Sequence, residues 1–306
     1  MLTLAASMLL CFLLLWLLFG ALGRALYPLL RNTMLSIDPA QASMLLLAWI
    51  AMPVLIAGLT CAVLYSPDVS AWLVTGHCHL GNCRQHGPQS AGAILPAALL
   101  LLWTGLRFYS CLRSQWLPAH RLGRELSAAG RSRGDYVELD TAETVAFTVG
   151  WWNPKVFITA GLRAVCSPRE LDCIVLHERG HRRRRDNVRL LVARLLGQPL
   201  PRRWSQAMLE DLKLCCEKAS DQFAAGAVAP EEVAAALLRV ARLQGQGTQP
   251  GVLAFAGSHI ERRVRALLEA PATPLPGERV FACVSAALLF ILAIVNPLHR
   301  ALELIP

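Results

Sequence analysis

The sequence contains a His-Glu-x-x-His motif whose spacing could hold a metal ion. It is the segment His177–His181, with Glu178 directly after the first histidine. Because residues four apart share one face of an α-helix, His177 and His181 could bind one metal ion from successive turns. Glu178 would then lie beside that ion, where its carboxylate could take a proton from an attacking water. The motif therefore predicts metal-dependent hydrolysis with Glu178 as the general base.

A second pair of residues could complete the metal site. A catalytic zinc usually has three protein ligands and one open position, so a third donor is required. Downstream, Glu217 and Asp221 are also four residues apart, and on a helix both carboxylates would face the same site. We expect Glu217 to bind the metal and Asp221 to accept the N–H of a ligand histidine, which fixes its tautomer. The prediction is one Zn²⁺ per chain, held by His177, His181 and Glu217.

Two helices and a small sheet are predicted to position these residues. Apolar residues at helical spacing over 170–176 place the motif on a helix, and residues 204–221 form a second helix that carries Glu217. A further amphipathic helix is predicted over residues 231–244. Three short β-branched segments before the motif predict strands, namely Tyr136–Leu139, Thr144–Val149 and Lys155–Thr159. Beside a zinc-binding helix, an edge strand could bind a peptide substrate as an additional strand.

The composition indicates a membrane protein. The chain has 306 residues, of which 55% are hydrophobic, and its mean hydropathy of +0.43 is high for a soluble protein. We predict four transmembrane helices, over residues 3–22, 43–65, 91–111 and 281–298. The first run is expected to be a span and not a cleaved signal peptide, because no basic residue precedes it and it exceeds the usual length of a signal core.

The distribution of basic residues predicts the topology. The net charge is +9, and the lysines and arginines are concentrated in residues 112–280. By the positive-inside rule, residues 23–42 and 112–280 face the cytoplasm. Both termini and the loop 66–90 are then extracytoplasmic. The basic excess is local, so no direct binding of nucleic acid is expected, and the bilayer is the predicted neighbour of the chain.

The predicted fold is therefore an α-helical membrane protein with four transmembrane helices and a cytoplasmic α+β, zincin-like metallopeptidase domain. Residues 1–111 hold three spans and the short loop 66–90. Residues 112–280 form the metallopeptidase domain, and residues 281–306 form the fourth span with a short extracytoplasmic tail.

The loop 66–90 contains a cluster of soft metal ligands. They are His77, Cys78, His79, Cys83 and His86. Thiolates and imidazoles suit Cu(I) or Zn²⁺, so an external metal site is one interpretation. A Cys78–Cys83 disulfide in an oxidising compartment is the second, and solvated side chains with neither role are the third. The sequence leaves these three alternatives open.

The chain resembles the membrane zinc metallopeptidases of the BlaR/MecR type, the antirepressor sensor-transducers of beta-lactam resistance. The resemblance covers about residues 91–299. Its strongest parts are His-Glu-Arg-Gly-His followed by Arg182–Asp186, and then Glu-Lys-Ala-Ser-Asp over Glu217–Asp221. The segments Ala146–Ile158 and Arg262–Leu268 are similar to the strand region before the zinc helix and to the helix before the last span. Unlike that family, we expect no penicillin-binding domain after the last span, so the input signal must differ.

The resemblance implies regulatory proteolysis at a bacterial plasma (inner) membrane. An external signal, with copper or zinc at the loop 66–90 as the simplest choice, would activate cleavage of a cytoplasmic winged-helix transcriptional repressor. The chain could also cleave itself, and the Gly/Gln-rich residues 244–251 are a suitable place for the cut. Assembly into a homo-oligomer is a further possibility that the sequence does not decide. Arg263 and His259 are candidates for steadying the oxyanion. Two alternatives remain at this point: a housekeeping quality-control metalloprotease, and a non-catalytic receptor that uses zinc only for stability.

Overall fold

The computed structural model describes residues 1–66, 91–245 and 250–269, with residues 274, 276–278, 285, 289, 293 and 297. Three long helices begin the chain: α1 over Leu2–Leu35, α2 over Pro39–Tyr65, and α3 over Ile94–Ala129, which follows a 3₁₀ turn at Ala91–Ala93. All three are long and apolar enough to cross a bilayer. The chain is therefore a membrane protein with at least three candidate spans, and the predicted fourth span lies mostly outside the described residues.

The first two spans pack along their length. Trp16 and Phe19 of α1 lie in a buried cluster with Ala57 and Cys61 of α2. The outer faces instead expose large apolar side chains, such as those of Leu18, Leu55 and Leu99. Exposed leucines on long apolar helices suit contact with lipid. Lipid tails are as apolar as leucine side chains, so these side chains have no driving force to pack inside the protein.

The third helix continues well beyond the predicted span. The span was predicted to end at residue 111, but α3 continues without a break to Ala129. Residues 112–129 are polar and charged, so they lack the apolar signal of a span, yet most of them favour a helix. The helix ends just before Gly130, which lies close against Val137 of the sheet. A Cβ atom at this position would lie only 2.3 Å from Val137 Cγ1, so the contact requires glycine. The third span and the following domain therefore share one continuous rod.

A four-stranded sheet follows α3. Its strands are β1 (Arg131–Ser132), β2 (Val137–Leu139), β3 (Ala146–Val149) and β4 (Lys155–Thr159), in the order β1-β2-β4-β3. Strands β2 and β4 are parallel, whereas β3 pairs with β4 antiparallel, with Phe147 opposite Phe157. The last three strands were predicted, and β1 was not, because two polar residues carry no strand pattern. Strand β3 lies at one edge of the sheet.

Six more helices complete the described chain. They are α4 (Ala160–Val165), α5 (Pro168–Arg184), α6 (Asp186–Leu196), α7 (Arg202–Ala225), α8 (Pro230–Gly245) and α9 (Pro250–Leu268). Helix α5 carries the motif and begins with a capping box formed by Ser167 and Glu170. Helix α7 carries Glu217. The predicted helices around the motif, over 204–221 and over 231–244 are all present and extend one to four residues further.

Helix α7 packs directly against the membrane helices. A buried cluster joins Tyr27 of α1 and Leu46 of α2 to Met208, Leu212 and Cys216 of α7. Leu46 and Leu212 are completely buried there. The helix that supplies the third predicted ligand is thus part of the core formed with the first two spans.

Candidate metal centre

The two helices that carry the predicted ligands cross at a glycine. A Cβ atom at Gly180 of α5 would lie only 3.0 Å from the Cα of Ser220 on α7. Real Cβ atoms rarely come so close to backbone, so a larger residue would require the helices to move apart by a few tenths of an ångström. Gly180 lies between the two histidines of α5, and Ser220 between Glu217 and Asp221 of α7. The close approach brings both pairs of residues together.

The three predicted ligands converge. His177 Nε2 lies 3.1 Å from His181 Nε2. Glu217 Oε2 lies 3.5 Å from His177 Nε2, and its Oε1 lies 3.6 Å from His181 Nε2. Tetrahedral zinc with ligands at about 2.0–2.1 Å holds its donors roughly 3.3–3.4 Å apart. The donor set and its spacing therefore fit a zinc ion, and one candidate site of this kind is present in the described residues.

A chain of ionic hydrogen bonds lies behind His177. Its Nδ1 is 2.9 Å from Asp221 Oδ1. Arg263 of α9 holds the same carboxylate with two hydrogen bonds of 2.7 and 2.8 Å, and its Nη1 lies 3.0 Å from Glu217 Oε2. Asp221 can therefore fix the Nδ1–H tautomer of His177, which leaves Nε2 free for a metal. Asp221 stands where it was predicted to act.

His181 has its own carboxylate partner. Its Nδ1 lies 2.9 Å from Oδ2 of Asp186, the first residue of α6. Asp186 is placed there because Arg185 adopts a left-handed conformation, with φ of 52°, that separates α5 from α6. Asp186 is 2% exposed. Both ligand histidines thus present Nε2 to the same point, and both are oriented by buried aspartates.

The charges around the site favour ionised carboxylates. Burial raises the pKa of Glu217, but its contacts with His177, His181 and Arg263 outweigh burial and hold that pKa well below its usual value. Burial likewise opposes ionisation of Asp221, yet Arg263 and His177 leave its pKa lowered. Burial lowers the pKa of His181, but Asp186 and Glu217 raise it overall to about 10. A metal cation would replace the protons that these imidazoles otherwise attract.

Glu178, the predicted general base, is held by the edge strand. Thr148 Oγ1 of β3 donates a hydrogen bond of 2.7 Å to Glu178 Oε2 and contacts the backbone oxygen of Glu178 at 3.1 Å. Asn187 of α6 in turn donates to the backbone oxygens of Thr148 and Gly150, at 3.0 and 3.2 Å. The carboxylate of Glu178 is therefore fixed beside the three donors without being one of them.

A cavity of about 470 Å³ opens over these residues. Its polar lining residues include the ligands, Glu178, Asp186, Asp221 and Arg263. Its apolar lining residues include Phe147, Ile174, Val233, Ala236, Leu237 and Val240. A cavity that combines apolar lining with a few convergent polar groups is typical of a small-molecule or peptide-binding cleft.

The other predicted site residues have different outcomes. Arg263, a candidate for steadying the oxyanion, already holds Asp221 and Glu217, and His259 lies one turn before it on α9. The loop cluster of His77, Cys78, His79, Cys83 and His86 lies outside the described residues, as do residues 246–249 of the proposed self-cleavage segment.

Asp186 and Thr148 lie in segments that resemble the family, and the sequence predicted no role for either residue. A polar residue in an edge strand beside the motif helix was the available signal for Thr148, and an aspartate five residues after the second histidine was the signal for Asp186.

The model of peptidase family M48 matches residues 119–209. The match covers less than a third of the chain and includes the whole motif, but it ends before Glu217. It indicates a metallopeptidase of a membrane type, in a family that is typically zinc-dependent, and it does not single out the BlaR/MecR type. No curated protein and no solved structure matches the chain.

Proposed function

We propose that the protein is an integral-membrane zinc endopeptidase that transduces a signal by cutting a cytoplasmic protein. The observation that carries the catalytic part is the convergence of His177, His181 and Glu217 beside a separately held Glu178. A metal site that only stabilised the fold would need no carboxylate beside the ligands that does not itself bind the metal. The match to a metallopeptidase family over the motif supports the same conclusion.

Each residue of the site has a separate role in the proposed reaction. A bound zinc would supply Lewis acidity that activates water and polarises the scissile carbonyl. Glu178 accepts the proton of the attacking water and returns it to the leaving amine. Thr148 holds the carboxylate of Glu178 in place, while Asp221 and Asp186 keep both histidines in the tautomer that ligation needs.

We propose that a peptide substrate binds along β3. Thr159 N donates to Val145 O at 3.2 Å, so alternate residues of β3 pair with β4, and Ala146 and Thr148 turn their backbone groups outward. The outward oxygen of Thr148 is already bound by Asn187. The free part of the edge therefore begins at Ala146, which also lines the cavity. A substrate strand added there would pass directly over the ligands.

The regulatory role follows from the resemblance to the BlaR/MecR type and from the order of the elements. We propose that the substrate is a winged-helix repressor, or the chain itself, and that the metallopeptidase domain faces the cytoplasm. The housekeeping alternative is less favoured because the known membrane proteases of that kind often place spans between the histidines and the third ligand. Here the chain between His181 and Glu217 consists of the end of α5, then α6 and the first part of α7. None of these helices is among the candidate spans of the described residues, all of which precede the motif.

The catalytic proposal is tested with four forms of the full-length protein in detergent: wild type, Glu178→Gln, Glu217→Ala and the control Glu210→Gln. Glu210 lies on the same helix α7 and pairs with Lys213 at 3.2 Å, outside the ligand set. Zinc per chain is measured by mass spectrometry, and hydrolysis is measured with a fluorogenic peptide library. We expect Glu178→Gln to keep one zinc and to lose hydrolysis by at least ~100-fold, because general acid–base catalysis contributes about that much.

The remaining outcomes decide between the alternatives. Glu217→Ala should lose zinc, whereas Glu210→Gln should behave as wild type. Zinc retained by Glu217→Ala would show that the third ligand is misassigned. A wild-type protein that binds zinc but cuts no peptide, with Glu178→Gln indistinguishable from it, would favour the non-catalytic receptor.

A further inference from the structure

Two arginines beside the motif converge on a serine of the second span. Ser43 lies at the beginning of α2 and is completely buried. Its Oγ accepts hydrogen bonds from Arg184 Nη2 at 2.9 Å and from Arg189 Nη1 at 3.0 Å. The same hydroxyl donates to Ala40 O at 2.8 Å. Since a hydroxyl has one donor and two acceptor positions, all of its hydrogen-bonding capacity is used.

The same arginines face the aspartate that orients His181. Arg184 Nε lies 3.3 Å from Asp186 Oδ1, and Arg189 Nε lies 3.9 Å from it. The other oxygen of Asp186 lies 2.9 Å from His181 Nδ1. A continuous series of polar contacts therefore runs from Ser43 through two guanidinium groups and one buried carboxylate to a metal ligand.

The first span holds the other ligand helix in a comparable way. Asp211 of α7 is buried. It accepts a 2.7 Å hydrogen bond from Tyr27 Oη and two from Arg31, at 2.6 and 2.7 Å. Asp211 lies six residues before Glu217 on the same helix. Both helices that supply ligands are thus fixed by side chains near the connection between α1 and α2.

We propose that Ser43 is a positioning residue for the metal centre and that it acts through Arg184, Arg189 and Asp186 on His181. The inference rests on the metal-binding part of the proposed function and not on the identity of any substrate. Ser43 is distant from His181 in the sequence and touches neither ligand nor substrate, so it is not a catalytic residue.

The physical argument concerns orientation. An Asp–His pair that supports a metal ligand works only if the carboxylate is itself held, and such supporting contacts commonly change metal affinity by about 10–100-fold. Oδ1 of Asp186 makes no hydrogen bond within the described residues, so it is held by the charge of two guanidinium groups on long side chains, which have many rotamers. The hydroxyl of Ser43 selects one arrangement for both side chains at once. Without it, both arginines can turn away, and Asp186 loses its opposing charges.

The test compares Ser43→Ala and Ser43→Thr with the control Thr60→Val in the full-length protein. Thr60 is also buried in α2, but its hydroxyl makes no hydrogen bond within the described part of the chain. Zn²⁺ affinity is measured by chelator competition, and Co²⁺-loaded protein is examined by visible absorption, which reports ligand geometry. We expect Ser43→Ala to weaken Zn²⁺ affinity about 3- to 10-fold, less than loss of a direct partner of a ligand would, because Ser43 lies two contacts beyond Asp186. The Co²⁺ spectrum should shift.

Ser43→Thr keeps the hydroxyl and should restore most of the affinity, whereas Thr60→Val should change neither readout. Far-UV circular dichroism and size-exclusion profiles of the metal-free variants identify any protein that fails to fold. Wild-type affinity and an unchanged Co²⁺ spectrum in a folded Ser43→Ala protein would overturn the inference. That result would leave the proposed function intact, whereas a wild-type protein that binds no Zn²⁺ would overturn the function itself.

Discussion

At the scale of single residues, Thr148 connects the sheet to the reaction. Its hydroxyl contacts both the carboxylate and the backbone oxygen of Glu178, and its own backbone oxygen is bound by Asn187. A general base must be held within hydrogen-bonding reach of the water it deprotonates, and small displacements reduce its efficiency strongly. Thr148 is therefore the residue through which the edge strand aligns the base.

Replacement of Thr148 by valine keeps the shape of the side chain and removes its hydroxyl. We expect kcat to fall roughly 10-fold, because Glu178 loses one fixed hydrogen bond while the ligands keep theirs. Zinc content and KM should stay at wild-type values. The measurement is steady-state hydrolysis of one peptide by zinc-loaded protein.

The matched control is Thr144→Val, which lies two residues before β3 and outside the cavity lining. A loss of zinc in Thr148→Val, or equal effects of both substitutions on kcat, would show that Thr148 acts on the fold and not on the base.

The sequence predicted the ligands better than their supports. Residues four apart lie on the same face of a helix, and this spacing is found both in His177 and His181 and in Glu217 and Asp221. The sequence alone therefore shows that the members of each pair share a helix face. Asp186 has no such signature, because its position depends on a left-handed residue between two helices. Arg263 was expected near the reacting atoms, yet its two bonds to Asp221 follow from the packing of α9, which no local pattern reveals.

At the scale of elements, the crossing of α5 and α7 determines whether the site can form. A Cβ atom added at Gly180 would lie 3.0 Å from the Cα of Ser220, so the facing helix would have to shift by a few tenths of an ångström to accept it. The helices are held together by packing on both sides of this point, so they can separate only at the cost of buried contacts. Gly180 is needed for space and not for its backbone freedom, since it lies inside a regular helix.

The substitution Gly180→Ala is expected to weaken Zn²⁺ binding by at least ~10-fold, because Glu217 moves away from the two histidines when the helices separate. Alanine is otherwise favoured in a helix by about 1 kcal/mol over glycine. The control is Gly105→Ala in α3, where an added Cβ atom meets nothing within 4 Å. Chelator competition measures the affinity, and equal Zn²⁺ affinities for the two variants would contradict the role given to Gly180.

The elements themselves were largely predictable. Strong patterns identified the three apolar helices, three strands and the helices around both ligand pairs. Strand β1 was missed because it pairs only two exposed residues with β2. The span predicted over residues 91–111 gave no sign that α3 continues to Ala129, because a change from apolar to charged residues can end a span without ending its helix.

At the scale of the whole molecule, the metal centre and the first two spans share a core. Tyr27, Leu46 and Leu212 belong to the same buried cluster, and polar contacts at Ser43 and Asp211 add to it. The sequence could not show this, because contacts between a span and a distant helix depend on tertiary packing. A metallopeptidase domain released from α1 and α2 would expose this apolar surface, so the spans are part of its fold as well as its anchor.

The uninterrupted course of α3 also sets a distance. From Cys111, where the span is predicted to end, to Gly123, twelve residues of helix rise about 18 Å. At Gly123 the helix touches Val149, the residue after Thr148. Because no loop separates the third candidate span from this contact, a change in the tilt of that span would be passed along the helix to β3, which holds Glu178.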